Sequence, residues 1–157
     1  MVVSAFVALL IGATACDGGS SVMAPPPGGG GTSNLIVSNS IPPTANGTLT
    51  ATATLTVDKS GNGLDELDVL QTVSGTEHEA VVRWTTITHV IDSTLHKCGN
   101  GGAPCGITQC VAGVNTCDPT KITLDFVGHK VTFTGLVLDD PAPGGTGSAT
   151  LTGTLAW

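Results

Sequence analysis

Four cysteines in the second half of the chain are the residues whose type and spacing most directly predict chemistry. They are Cys98, Cys105, Cys110 and Cys117, separated by six, four and six residues. An even number of cysteines at such spacings predicts disulfide bonds in an oxidising compartment. The symmetric spacing favours nested bridges, Cys98–Cys117 around Cys105–Cys110, with sequential bridges, Cys98–Cys105 and Cys110–Cys117, as the main alternative. A zinc site formed by His96, Cys98 and the other cysteines is a further alternative.

A run of oxygen-bearing side chains is the second candidate for chemistry. Its members are Asp58, Ser60, Asn62, Asp65, Glu66 and Asp68. Oxygens at the first, third and fifth positions followed by Gly63 resemble the start of EF-hand-like and thrombospondin-type-3 calcium loops, which implies a calcium ion as the one cofactor to consider. Val69 stands at the twelfth position, where a bidentate acid closes an EF-hand loop. This difference favours the alternative, a hairpin loop whose Gly, Asn and Asp residues supply turn conformations.

The histidines give weaker signals for catalysis. His78 lies between Glu77 and Glu79 and could hold a metal or act as a general base, but such a histidine is more often solvated in a turn. His89 and His129 are interpreted as structural. The chain has no nucleophile elbow, P-loop, dinucleotide-binding or zinc-protease motif. We therefore assign no catalytic residue and do not expect an enzyme.

The N-terminus combines an apolar run from Val2 to Ile11 with the residues Ala13-Thr14-Ala15-Cys16. As a helix at about 1.5 Å per residue, residues 2–15 cover about 21 Å, less than the ~30 Å hydrocarbon core of a bilayer. A short apolar segment ending in small residues is typical of a signal peptide. Ala13-Thr14-Ala15-Cys16 resembles the lipobox of bacterial lipoproteins, which implies cleavage before Cys16 and acylation of Cys16. An ordinary secretory signal and an uncleaved membrane anchor are the alternatives.

Composition divides the chain into three parts. Residues 1–15 are predicted to be the signal peptide, residues 16–34 the lipidated cysteine and a Gly-, Pro- and Ser-rich tether, and residues 35–157 a single domain. The net charge of −7, with only five Lys and Arg residues, argues against nucleic-acid binding. The absence of Tyr and the presence of only two Trp residues argue against a carbohydrate-binding module.

Alternation of threonine with apolar residues predicts the strands that position these groups. Residues 47–57 and 149–157 each place Leu and Ala on one face and Thr on the other. Residues 121–127 and 130–138 are predicted to pair antiparallel across a tight turn at Gly128-His129. These patterns are typical of strands with one face on a core and the other face in water.

The remaining segments complete a prediction of seven or eight strands. Residues 80–91 are apolar on both faces, which predicts a central strand or one with a bulge. Residues 68–73 and 35–37 are the other predicted strands, and residues 97–119 are predicted to be a stapled, Gly-rich insertion. We therefore expect an all-β fold, an antiparallel β-sandwich that could be immunoglobulin-like, with a small antiparallel β-barrel as the alternative.

These observations leave three classes of function. We favour a structural or assembly subunit, because a tether, a stapled insertion and flat Thr-rich strands suit contact with a protein partner in a membrane or envelope complex. The alternatives are a calcium-assisted binding module and an uncharacterised enzyme. The expected location is extracytoplasmic, on the periplasmic side of a membrane or at the cell surface, with membrane lipid contacted through acylated Cys16.

Overall fold

The computed structural model of the protein describes residues 31–100 and 103–157. The predicted signal peptide, Cys16 and most of the predicted tether lie outside the described residues. Within those residues, the only helical turns are two short 3₁₀ turns, Pro43–Ala45 and Lys59–Gly61. No helix in this part of the chain is long and apolar enough to cross a membrane.

The rest of the regular structure is antiparallel β-sheet, so the predicted all-β antiparallel fold is confirmed. In chain order the described strands are β1 (Asn34–Ile41), β2 (Gly47–Leu49), β3 (Thr54–Thr56), β4 (Leu64–Val73), β5 (Thr76–Thr85), β6 (Ile91–Asn100), β7 (Ala103–Val111), β8 (Ile122–Asp125), β9 (Lys130–Asp139) and β10 (Ser148–Ala156). The ten strands exceed the predicted number for three reasons: segment 47–57 is divided into β2 and β3, segment 80–91 contains the end of β5 and the start of a separate β6, and the cysteine-rich segment contributes β7.

All ten strands belong to one sheet that is curled into a half-barrel. Its order is β2-β1-β10-β9-β7-β6-β5-β4-β3, and β8 pairs with β9. The link between β7 and β9 is a single paired position, Gln109 with Asp139. The sheet curls so that side chains from the two halves on either side of this link meet in one core, as in a sandwich. Strand pairing nevertheless continues from one edge to the other, as it does in a barrel.

The core fills the space between the two halves of the sheet. Leu35 and Leu151 from one half and Leu67 and Trp84 from the other are completely buried, and Phe133 is almost so. Along β1 and β10 these residues alternate with exposed or half-buried ones, which are polar except for Ile36, Ile41 and Gly153, as a strand with one wet face requires. The period of two in the sequence therefore places the core side chains correctly.

The Thr-rich segment 47–57 differs from the prediction because it forms two short strands and not one. β2 pairs with β1, whereas β3 pairs with β4, so the chain changes partner within four residues. β2 and β3 are also the two edges of the sheet. Between them, the N–H groups of Thr50 and Ala51 donate to Gln71 Oε1 at 2.7 and 2.9 Å, which ties the edges together.

The segment 80–91 was predicted as one strand, and this is wrong. β5 ends at Thr85, where the N–H of His89 donates to the Thr85 carbonyl and the N–H of Thr85 donates to the Val90 carbonyl, both at 2.9 Å. His89 has φ of 54°, a left-handed conformation outside the extended region that regular strand residues occupy. The predicted bulge is present, as a shift of the β5–β6 register between Arg83 and Trp84.

The predicted hairpin of segments 121–127 and 130–138 is confirmed as β8 and β9, paired from Ile122 with Phe133 to Asp125 with Lys130. The left-handed residue of its turn is His129, with φ of 48°, and not Gly128. Glycine is needed at position 128 for space, because a Cβ there would lie 2.3 Å from Asp125 Oδ2. The turn brings residues 126–129 to the same end of the molecule as the C-terminal Trp157, whose N–H donates to the His129 carbonyl at 3.0 Å.

Candidate functional site

The cysteine-rich segment 97–119 is more regular than the predicted insertion. β7 lies within this segment and forms a hairpin with β6, which begins before it. The β6–β7 register pairs Thr94 with Cys110 and His96 with Thr108. Thr108 and Cys110 are buried and Ile107 is exposed, which is the alternation of a strand with one inward face. The glycines of this segment hid that alternation in the sequence.

A disulfide bond joins Cys110 to Cys117, with their Cα atoms 4.9 Å apart. The predicted nested pairing is therefore wrong, because it requires Cys110 to bond Cys105 and Cys117 to bond Cys98. The sheet register gives the reason. Cys110 lies opposite Thr94, four positions or about 13 Å along β6 from Cys98, so a cysteine bonded to Cys110 is remote from Cys98.

Cys98 is also disulfide-bonded, and the Cys110–Cys117 bond is the one that the sequential alternative requires. A sulfur atom in a disulfide cannot serve as a thiolate ligand. Cys98, Cys110 and Cys117 therefore do not form the alternative zinc site with His96.

The disulfide closes an exposed loop, residues 111–116, which we call the stapled loop. Its base is held by Asn115, whose carbonyl and Oδ1 atoms each accept from the N–H of Val111 at 3.1 Å. Asn115 Nδ2 also donates to the Gln109 carbonyl at 2.6 Å. At the apex, Val114 has 84% of its surface exposed. The N–H groups of Ala112 and Val114 also donate to the carbonyls of Asp92 and Val111, at 2.8 and 3.1 Å. The loop therefore presents an apolar side chain on a backbone fixed by a covalent bond and five hydrogen bonds.

The predicted calcium ligands are used largely to close a turn. Asp58 Oδ1 accepts from the N–H of Gly63 at 2.7 Å, and Asn62 Oδ1 accepts from the N–H of Leu64 at 3.0 Å. Ser60 is exposed and left-handed, with φ of 63°. This is the arrangement of the hairpin-loop alternative, in which short polar side chains support the turn.

The remaining three predicted ligands lie on β4 and point to opposite faces of the sheet. Asp65 Oδ1 accepts from Asp58 N–H at 3.0 Å and from Thr86 Oγ1 at 2.9 Å, and its Oδ2 accepts from Trp84 Nε1 at 3.1 Å. Glu66 and Asp68 lie on the other face. The six oxygen-bearing side chains therefore do not converge, and no group of three or more His, Cys, Asp or Glu side chains among the described residues could hold a metal ion. Calcium binding stays an untested prediction.

Glu66 is the centre of a charged cluster on the outer face of β4. Its side chain is almost fully buried between Lys59 and Arg83, and Arg83 Nε donates to Glu66 Oε2 at 2.7 Å. Burial alone would raise the pKa of Glu66, but hydrogen bonds from both cations outweigh it and lower the pKa below its ordinary value. Nearby Asp68 has a raised pKa because it is partly buried beside Glu79 and Glu66. These charges neutralise one another, and Arg83 pairs with an acid as such a residue usually does.

A buried histidine pair is the feature that the sequence interpretation missed. His78 on β5 and His96 on β6 are each 1% exposed, and His78 Nδ1 shares a hydrogen bond with His96 Nε2 at 3.2 Å. Burial lowers the pKa of His78; burial, with a contribution from His78, lowers the pKa of His96 to about 4. Gly47 allows β2 to approach, because a Cβ there would lie 3.1 Å from His78 Cε1.

The signal for His78 was present in the sequence but hidden by its neighbours. Glu77 and Glu79 suggested a solvated turn, whereas His78 continues the inward series Ala80, Val82 and Trp84 at a period of two. A hydrogen-bonded neutral pair in this position contributes a polar contact to the core. The pair of His78 and His96 lies on the inward face of the sheet and does not belong to the stapled loop.

The chain matches no protein-family model, no curated protein and no solved structure in the comparisons with known proteins.

Proposed function

We propose that the protein is a bacterial lipoprotein, anchored through acylated Cys16 on the extracytoplasmic side of a membrane, which acts as a structural interaction subunit of an envelope complex. The Cys110–Cys117 disulfide is the observation that carries the proposal. Structural disulfides persist in oxidising compartments outside the cytoplasm, where the Ala13-Thr14-Ala15-Cys16 segment would also direct the chain.

The stapled loop is the proposed contact surface for the protein partner. Its backbone is held at Val111, Asn115 and the disulfide before any partner arrives. A loop that is already ordered loses less conformational entropy on binding, so more of its contact energy appears as affinity. The exposed Val114 side chain supplies apolar surface whose burial against a partner is favourable.

The lipoprotein part of the proposal is tested by the intact mass of the native protein purified from membranes. We expect the mature chain to begin at Cys16 and to carry the added mass of acyl chains. Cys16→Ser should release the protein from the membrane fraction or leave it unprocessed. A mature N-terminus other than Cys16, or an unmodified Cys16, would contradict this part.

The stapled-loop part is tested in mildly solubilised native membranes by comparing the size of the complex that contains the protein. Val114→Ser should shift the protein from its complex to the free form, because this apolar surface is lost while the disulfide remains. The matched control is Val137→Ser, an exposed valine on β9 outside the loop. Deletion of residues 99–116 is unsuitable as a test, since it would remove β7. Equal complex sizes for Val114→Ser and the wild type would exclude the loop as the contact surface.

A further inference from the structure

One end of the half-barrel exposes a group of large apolar side chains. They belong to the loops 86–90 and 126–129, which together with Trp157 we call the tip. Ile87 is 90% exposed and Val127 is 96% exposed, more than any other large apolar side chain that the structure describes. Val90 is 60% exposed and Phe126 is 38% exposed. Contiguous exposure of this kind marks a surface that contacts a partner or a membrane.

The two loops of the tip form one supported surface. The rings of His89 and Phe126 lie 4.3 Å apart between centroids, which joins the first loop to the second. Phe126 in turn packs edge-on against Trp84 at 5.9 Å and Trp157 at 6.3 Å. Because Trp84 is fully buried and hydrogen-bonded to Asp65, the apolar side chains stand on a fixed base.

The two loops of the tip contain no charged residue of their own, although the protein is acidic. Residues 86–90 and 126–129 contain no Asp, Glu, Lys or Arg, although the chain as a whole has a net charge of −7. The charges next to the second loop, Asp125 and Lys130, face each other at 3.7 Å at its base, where Asp125 Oδ1 also accepts from the N–H of Gly128 at 2.7 Å. Apolar and aromatic side chains that project beyond such a pair enter the boundary between headgroups and acyl chains at low cost, and tryptophan favours that boundary.

The start of the described chain lies at the same end as the tip. The N–H of Ala156 donates to Ser33 Oγ at 3.1 Å, and Asn34 pairs with Thr154. Trp157 follows directly and contacts His129, with ring centroids 5.9 Å apart. Only residues 17–30 separate Cys16 from residue 31, so the two are at most about 50 Å apart along the chain.

We propose that the tip is a lipid-docking surface that rests on the bilayer holding the acyl anchor, with Ile87, Val90, Phe126 and Val127 inserted at the interface. This inference rests on the proposed acylation of Cys16. The anchor keeps the tip close to lipid and so raises the effective lipid concentration at this surface. A lipid chain and an apolar protein surface then act together, as two membrane-binding signals commonly do.

The test uses the full chain, purified with its lipid and reconstituted into vesicles of phosphatidylethanolamine and phosphatidylglycerol with brominated acyl chains. Bromine quenches nearby tryptophan, and both tryptophans of the chain, Trp84 and Trp157, lie at or beside the tip. The tip variant is Ile87→Ser with Val127→Ser. The matched control is Leu70→Ser with Val137→Ser, at two exposed apolar positions on β4 and β9 away from the tip. Thermal unfolding checks that all three proteins are folded.

The expected result is quenching in the wild type and in the control, and loss of quenching in the tip variant. Acylated wild type without quenching overturns the docking surface and leaves the lipoprotein proposal standing. An unmodified Cys16 in the intact mass overturns both. Quenching in the tip variant equal to that in the wild type also overturns the docking surface. A third contrary outcome is a lower sedimentation mass of the detergent-solubilised tip variant, since the tip would then join two copies of the chain.

Discussion

At the scale of single residues, the buried pair of His78 and His96 links the fold to pH. The pKa of His96 falls from 6.5 to about 4 in the folded chain, so between these values the unfolded chain binds more protons than the folded one. Stability therefore rises with pH across this window, is fully present above about 6.5, and is lost as the pH falls towards 4. The shift in the pKa of His96 corresponds to about 3 kcal/mol in the free energy of unfolding.

We predict that His96→Gln flattens this pH dependence. Glutamine can still hydrogen-bond His78 but does not titrate, so the free energy of unfolding should change less between pH 4 and 6.5. At pH 7.5 the variant should lose about 1–2 kcal/mol from imperfect packing. Urea unfolding at several pH values measures both effects. His129→Gln keeps the buried pair and serves as the control; an unchanged slope in His96→Gln would refute the role of the pair.

At the scale of elements, the Cys110–Cys117 disulfide fixes the connection that leaves β7. Replacing both cysteines with alanine should lower the free energy of unfolding by about 2–3 kcal/mol, because the unfolded chain gains the freedom of an open loop. The sheet should persist, since the β6–β7 register includes seven paired positions besides that of Cys110, and Cys117 lies outside both strands.

Denaturant unfolding measures this loss of stability, and amide exchange at residues 111–116 shows whether the stapled loop has become mobile. Val114→Ala, an exposed change in the same loop, should stay within about 0.5 kcal/mol of the wild type. A double alanine variant as stable as the wild type, with equally protected amides, would show that hydrogen bonds hold the loop without the disulfide.

The elements also show what a sequence can predict and where it stops. Thr alternation located β10 and the inward faces of β2 and β3, because side-chain direction is a local property of the strand. It could not show that the chain changes partner between Leu49 and Thr54, since partners are set by the whole sheet. The disulfide pairing failed for the same reason: the register that places Cys110 opposite Thr94 is not local. The buried position of His78 was missed because its acidic neighbours, Glu77 and Glu79, outweighed its place in an inward-facing series with a period of two.

At the scale of the whole molecule, the two edges of the sheet meet at Gln71. Its Oε1 accepts from the N–H groups of Thr50 and Ala51, which would otherwise remain open to strand addition by another chain. We predict that Gln71→Met, with similar size but no such acceptor, lowers stability by about 1 kcal/mol and promotes association of folded molecules.

Amide exchange at Thr50 and Ala51 and light scattering at rising protein concentration measure the two effects. Gln71→Glu supplies the matched control, because it restores an acceptor oxygen at the same position and should recover both the protection and the monomeric state. If Gln71→Met and Gln71→Glu behave alike, the edges are joined by other contacts.

The pairing of β1 with β10 has a consequence for how the domain reaches its native state. These strands are hydrogen-bonded along most of β1, although Ser33 and Ala156 are 123 positions apart. Synthesis delivers β10 after every other described strand, so β1 lacks its main partner until most of the domain has left the ribosome. Contacts between such distant segments form slowly and leave apolar surface exposed in the meantime. A chaperone that shields the apolar face of β1 and β2 during that interval would therefore raise the yield of native protein.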